Sequence, residues 1–256
     1  MKLPIKNYPG QMYTVRPSKI IAIGLNYKTH IAESDKLNVR GFTAEEPTEP
    51  VIFPKTPNAI TGSGTSIILP AIAESYGFEN VRTDYEGELA VIIGKKCKNI
   101  TKEKAADYIY GYTAANDVSQ RNIQNADKSG WFRGKSFDTF LPLGPQVVLH
   151  KDIENVQNLR LVTRLNGITV QDSNTNVMIF PINELVAFLS RNFTLEAGDI
   201  ILTGTIINAQ FSGTLMKSLF FDKAPLHDGA VVIRANRIHS AGCLLPLESD
   251  RELYTE

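Results

Sequence analysis

Cysteine is nearly missing from this chain of 256 residues: Cys97 and Cys243 are the only two, and neither has a CxxC partner or an adjacent histidine. That excludes a disulfide framework and a zinc knuckle, and it points to a reducing compartment. An excess of charge of either sign is missing as well. With 27 Lys+Arg against 27 Asp+Glu the chain has no basic surplus to neutralise nucleic-acid phosphates, so nucleic acid is not expected as a principal partner. No stretch approaches the roughly 18 consecutive apolar residues of a membrane span. Met1 to Gly10 also lacks the apolar run of a signal peptide. The expectation is a soluble cytoplasmic protein without a membrane partner. Internal repeats and low-complexity tracts are absent too.

What is present is enough apolar material for a sizeable core: a 43% hydrophobic fraction with 12 Phe and 9 Tyr. Short runs rich in β-branched residues, punctuated by Gly, Pro and Asn, predict strands at Lys19–Ile23, Val51–Phe53, Ser66–Leu69, Leu89–Ile93, Gln146–Leu149, Leu159–Leu165, Asp199–Leu202 and Ala230–Ile233. Two helices are expected between them. One runs from Lys102 to about Ile109 behind an N-cap at Thr101 with Glu103 in the first turn. The other follows Pro181, with Ile182, Leu185, Val186 and Leu189 forming one apolar stripe. The polar segment Glu33–Pro50 reads as a surface loop or lid.

Chemistry concentrates in three acidic or basic segments. In Asp84-Tyr85-Glu86-Gly87-Glu88-Leu89 an extended backbone turns the side chains of Glu86 and Glu88 to the same side. Like charges placed together need a cation, a proton or an arginine between them, and hard divalent ions prefer such oxygen ligands. An isolated E-x-E also describes a solvated edge strand. Asp117 ends an otherwise neutral strand-like run, and Lys135 lies between Gly134 and Ser136 in a turn-rich stretch. Near the N-terminus His30 and Glu33 are three residues apart, neighbours on a helical turn, so Glu33 could orient His30 or hold a water with it; a surface pair has the same spacing.

In order along residues 17 to 205 the chain carries G-L-N-Y-x-x-H-x-x-E, E-E-P-x-x-P-V-I-F-x-K-x-P, D-Y-E-G-E-L-A-V-I-I-G, G-Y-T-x-x-N-D-V-S-x-R, R-G-K-S-F-D-T-F-x-P-L-G-P, L-N-G and G-D-I-I-L-T-G-T. This series resembles the fumarylacetoacetate hydrolase family. The resemblance implies a mainly β, α+β fold, a rolled mixed β-sheet with a few packed helices, assembled as a homodimer. It implies Glu86, Glu88 and Asp117 as ligands of Mg²⁺ or Mn²⁺, Lys135 as the active-site lysine, and Arg121, Gln124 and Thr205 at substrate-contact positions. His30 and Glu33 match a dyad on a mobile lid. A small 2-oxo acid would chelate the metal, and metal and Lys135 would stabilise an enolate. Hydrolysis of an acylpyruvate is the first expectation, through water activated by His30 and Glu33. Decarboxylation of oxaloacetate or isomerisation of a dienoate are alternatives on the same site. Leu25 carries no charge where some family members have arginine.

The family usually continues Pro-Ala-Gly-Val-Gly after the Gly-Thr, whereas this chain has Ile206-Ile207-Asn208-Ala209-Gln210. The stretch from Ser218 to Leu247, with Asp228-Gly229-Ala230, resembles a fragment of a diadenylate cyclase domain. The upstream half of that domain and its downstream R-H-R motif are not in this sequence, so nucleotide chemistry is not expected from the fragment. The expected organisation is a catalytic domain over residues 1–205 and an atypical segment over 206–256 that is not an independent domain. A further reading is a hybrid that keeps the metal site and loses turnover.

Overall fold

The computed structural model describes residues 1–28, 46–128, 131–165 and 168–205, and the backbone of 230–235. Fourteen strands account for most of it: β1 (Lys2–Pro4), β2 (Met12–Thr14), β3 (Ile20–Gly24), β4 (Val51–Lys55), β5 (Ile60–Gly62), β6 (Thr83–Asp84), β7 (Gly87–Ile93), β8 (Ile109–Asn116), β9 (Ser119–Gln120), β10 (Leu141–Leu149), β11 (Arg160–Leu165), β12 (Ile168–Asn174), β13 (Ile200–Leu202) and β14 (Ala230–Ala235). Four α-helices are described: α1 (Ile72–Ser75), α2 (Arg121–Ala126), α3 (Phe132–Lys135) and α4 (Ile182–Asn192). The main sheet has seven strands in the order β4-β3-β13-β7-β8-β10-β5. It is mixed, because β13 runs parallel to β3 and β10 parallel to β5 while the other pairs are antiparallel. A mainly β, α+β architecture with a mixed sheet is thus what the chain adopts.

β7 lies in the middle of this sheet, and every one of its residues is buried. A strand covered on both faces has no need of polar alternation, which is why Leu89–Ile93 reads as a continuous apolar run. α4 packs its Ile182, Leu185, Val186 and Leu189 stripe into the core as the periodicity predicts. Burial of each such side chain contributes about 2 kcal/mol. The segment after Thr101 is a 3₁₀ helix, Lys102–Tyr108, rather than an α-helix. Ser66–Leu69 forms no strand: the Ile68 amide donates to the Thr139 hydroxyl at 2.8 Å, and Pro70 follows with no amide to offer a ladder. Strand β14 does form. It lies parallel to β11, completing a three-stranded sheet in the order β12-β11-β14, so residues 230–235 are built into the same body as the chain before Thr205. Residues 236–256, and Asp228 and Gly229, lie outside the described residues. Among the described residues no helix is long and apolar enough to cross a membrane.

Candidate metal centre

The site grows out of the β7–β8 pair. Its register sets Gly87 opposite Asn116 and Glu88 opposite Ala115, so the residues just beyond, Glu86 and Asp117, meet: the Asp117 amide donates to the Glu86 carbonyl at 2.9 Å. The Asn116 side chain accepts from the Glu86 amide at 2.7 Å and holds the turn. One carboxylate oxygen each from Glu86, Glu88 and Asp117 then lie within 4.8 Å of one another, all three residues buried. The extended reading of E-G-E predicts two carboxylates on one side; the third, from across the ladder, is the one that the family resemblance implies.

The chain next pairs β9 with β6 and turns into α2, whose first turn is capped by the Gln120 side chain accepting from the Ile123 amide at 2.8 Å. Helical spacing places Arg121 and Gln124 on one face. Arg121 Nε donates to Asp84 Oδ2 at 2.7 Å, Nη2 to Glu86 Oε1 at 2.5 Å and Nη1 to Gln124 Oε1 at 3.0 Å. Helix α3 docks on α2 through Gly134, where a Cβ would sit 2.7 Å from that of Gln124. Only glycine permits this approach, and it brings Lys135 onto the carboxylates: Nζ donates to Glu86 Oε2 at 2.5 Å and Asp117 Oδ2 at 2.7 Å.

A residue that the sequence did not single out completes the cluster. In β4, Phe53 and Lys55 alternate inward while Pro54 faces out. Lys55 Nζ stands 2.6 Å from Asp117 Oδ1 and donates to the Lys135 carbonyl. The contact with Oδ1 is an ion pair between two fully buried groups. Asp84 and Gln171 also escaped notice. Asp84 accepts from both Arg82 and Arg121. Gln171 of β12 accepts from the Gly87 amide at 3.0 Å and donates to Thr205 Oγ1 at 3.1 Å, which places Thr205 beside the Glu-Gly-Glu turn. Alternation from Phe53 could have marked Lys55 as inward-facing, but it could not name its partners; in β12 it points Val170 inward rather than Gln171.

The electrostatics are those of a cation site. Asp84, Glu86, Glu88 and Asp117 are buried with three buried cations, Lys55, Arg121 and Lys135. Burying an ion costs several kcal/mol unless it is paired and hydrogen-bonded. Glu88 is the member without an ion pair among the described residues; its Oε2 accepts from the Gly204 amide at 2.9 Å. Burial first, then the neighbouring Asp117 and Glu86 carboxylates, push its pKa well above the ordinary range. Burial also drives Lys55 down, aided by Lys135, against the pull of Asp117. Lys135 ends above its usual value, because Asp117 and Glu86 together outweigh the desolvation that opposes them. A donor set of three buried carboxylates, one lacking a counter-ion among the described residues, fits a hard divalent cation bound through oxygen. Gly204 shapes the geometry: at its φ of +96°, with a Cβ site 3.0 Å from Asn26 Cβ, any side chain would be strained.

Six of the nine expected site residues therefore converge, with Thr205 on the flank; His30 and Glu33 lie outside the described residues. The family model for the fumarylacetoacetate hydrolase C-terminal domain matches residues 19–240, continuing past Thr205 across β14. The chain is 44% identical over 190 residues to the oxaloacetate tautomerase Fahd2a of Rattus norvegicus, covering 74% of this chain and 56% of that protein. It is 44% identical over 191 residues to the oxaloacetate tautomerase YisK of Bacillus subtilis, covering 74% and 59%. It thus spans somewhat over half the length of both. The crystal structure of 2-hydroxyhepta-2,4-diene-1,7-dioate isomerase from Mycobacterium marinum superposes with a TM-score of 0.65 at 31% identity, covering 89% of this chain and 82% of that one. These neighbours share the curled mixed β-sheet with few helices.

Proposed function

The chain belongs to the fumarylacetoacetate hydrolase family, and on that premise we propose that it catalyses keto–enol chemistry on a small 2-oxo dicarboxylic acid, with oxaloacetate tautomerisation as its first reaction. The observation that carries this is the buried meeting of Glu86, Glu88 and Asp117 beneath the Lys135 ammonium. In the reading proposed here Glu86, Glu88 and Asp117 hold Mg²⁺ or Mn²⁺. When bound, the cation supplies Lewis acidity toward the carboxylate and keto oxygens of the oxo acid. The remaining work falls to the protein. Lys135, kept protonated by its carboxylate neighbours, presents N–H donors to the oxygen on which enolate charge develops. Arg121 fixes the Glu86 carboxylate, and the Gly204 amide fixes that of Glu88. Gln124, whose buried Nε2 has no hydrogen-bond acceptor among the described residues, and Thr205 offer groups to the substrate.

Carbon–carbon cleavage of an acylpyruvate uses the same enolate and adds a water activated by His30 and Glu33. It is the second reading, favoured by the motif that carries those two residues. We assign catalysis to the body formed by residues 1–205, working as a homodimer, and a structural part to 206–256. The parallel pairing of β14 with β11 supports that use over a nucleotide site at Asp228–Ala230. The deciding assay follows the ultraviolet absorbance of enol-oxaloacetate. Decay should accelerate with the protein and Mg²⁺ or Mn²⁺, return to the buffer rate with chelator, and stay there in Glu86→Ala. A buffer rate throughout, with acetylpyruvate cleaved instead, would hand the site to the hydrolytic reading. Turnover of neither substrate would overturn both.

A further inference from the structure

Lys55 is the buried cation of the cluster that this mechanism leaves without a task. Its side chain is fully shielded from solvent, and it lies at an inward position of β4 where Phe53 two residues earlier shows that an apolar side chain would pack. A lysine stem ending in methyl would fill the same space without the several kcal/mol needed to bury an ammonium. The charge is therefore not explained by packing. What it touches is specific: Asp117 Oδ1 at 2.6 Å and the main-chain oxygen of Lys135. The other Asp117 oxygen, Oδ2, takes the Lys135 ammonium at 2.7 Å. Lys55, Asp117 and Lys135 thus form a closed ring in which one ammonium sets both the carboxylate plane of Asp117 and the backbone from which the Lys135 side chain springs.

We propose that Lys55 is a positioning residue of the site, holding the Asp117 carboxylate and the Lys135 ammonium in one fixed frame. The inference rests on the metal-centre reading above. Two neighbours make it separable from folding. Asn58 Nδ2 donates to the Ser136 carbonyl at 3.1 Å and to Asp138 Oδ1 at 2.7 Å, and Thr56 Oγ1 donates to the Ser136 carbonyl at 3.4 Å. These bonds keep the chain after Lys135 docked on the end of β4 when Lys55 is changed, so that only the fine alignment of Asp117 with Lys135 is released. Removing a positive charge beside a ligand carboxylate also lessens the opposition to a bound cation.

The test compares the full-length protein with Lys55→Met, which keeps the stem, and Lys55→Gln, which keeps a donor for the Lys135 carbonyl. Mn²⁺ affinity is measured by calorimetry, the bound Mn²⁺ is examined by electron paramagnetic resonance, and kcat and KM are measured separately on enol-oxaloacetate. In Lys55→Met, Mn²⁺ should bind at least as tightly as in the wild type with an altered resonance spectrum, because the Asp117 carboxylate has turned. Its kcat should fall by about tenfold to a hundredfold with KM little changed, the loss expected of a misplaced group. Lys55→Gln should recover part of that loss. A spectrum and kcat identical to wild type would overturn the inference, as would loss of cooperative unfolding or of Mn²⁺ binding in both variants, either of which makes Lys55 a purely structural support. Should the wild type turn over no oxo acid, the functional reading falls while the Mn²⁺ spectrum and affinity still decide the role of Lys55.

Discussion

Strands β7 and β13 lie side by side, and each end of the pair carries a buried carboxylate, yet the two carboxylates live in opposite circumstances. At one end Asp199 is saturated. Its Oδ1 accepts from the Ser18 amide and hydroxyl and the Lys19 amide at 3.1, 2.7 and 3.1 Å. Its Oδ2 accepts from the Glu196 amide at 2.7 Å and pairs with the Lys19 ammonium. Burial alone would raise its pKa, but the bonds from Lys19, Glu196 and Ser18 win and hold it below the ordinary range. At the other end Glu88 has one backbone donor, no ion pair among the described residues and two carboxylate neighbours, and its pKa is pushed up. Burial is common to both, so burial does not mark function. The difference lies in satisfaction: a carboxylate with every lone pair engaged holds the fold, and one left short of donors is available to a ligand.

The sharpest way to break this contrast is to neutralise Glu88. Glu88→Gln keeps the bond from Gly204 but removes a ligand charge, so Mn²⁺ affinity and turnover should fall by about a hundredfold or more. The unfolding midpoint in denaturant should hold or rise by the equivalent of about 1 kcal/mol, since the cost of burying that carboxyl among two others has gone. Asp199→Ala should do the reverse. It strands the Ser18, Lys19 and Glu196 donors and should cost about 3 kcal/mol in denaturant unfolding, while kcat per folded molecule is unchanged. Equal effects of the two substitutions on turnover would erase the distinction. Gly204→Ala lies between them: strain at its positive φ and the approach to Asn26 should cost about 1–2 kcal/mol, with turnover reduced because the Glu88 anchor moves.

The smallest effect is the most diagnostic in sign. For Asp199 the folded pKa is depressed, so its stabilisation is present above the unfolded value near 4 and is lost as pH falls through the folded one. For Glu88 the folded pKa is raised, so the folded state holds a proton that the unfolded state releases. Stability then falls as pH rises from the unfolded value toward the folded one. Unfolding curves in chelator at several pH values should therefore flatten on the acid side in Asp199→Asn and on the higher-pH side in Glu88→Gln. Identical pH profiles in both variants would contradict the assignment.

Much of this was legible in the residues alone. Seven of the eight expected strands formed, because apolar runs bounded by Gly and Pro report local backbone preference; E-G-E set two carboxylates on one side, and the family resemblance supplied Asp117 as the third. What remained hidden was non-local. Asp199 reads as a strand boundary until Ser18 and Lys19 are beside it, and Lys55 has no legible role until Asp117 and Lys135 arrive beside it. Ser66–Leu69 has strand composition but no partner to pair with, and the Lys102–Tyr108 segment winds into the tighter helix. Periodicity says which side chains share a face; it does not say which distant segment arrives there.

The place of β13 has a consequence for the order in which the molecule is assembled. Its three residues Ile200–Leu202 are wedged between β3 and β7, parallel to the first and antiparallel to the second. Both neighbours are synthesised long before it, so during translation two apolar strands wait with their inner edges unpaired. Closing the sheet is a late, long-range event, and such events are slow. A nascent chain halted before Ile200 should remain open to protease along β3 and β7, and one released after Thr205 should become resistant. The Glu88 carboxylate would then receive its Gly204 amide only when this last strand of the seven-stranded sheet is laid down.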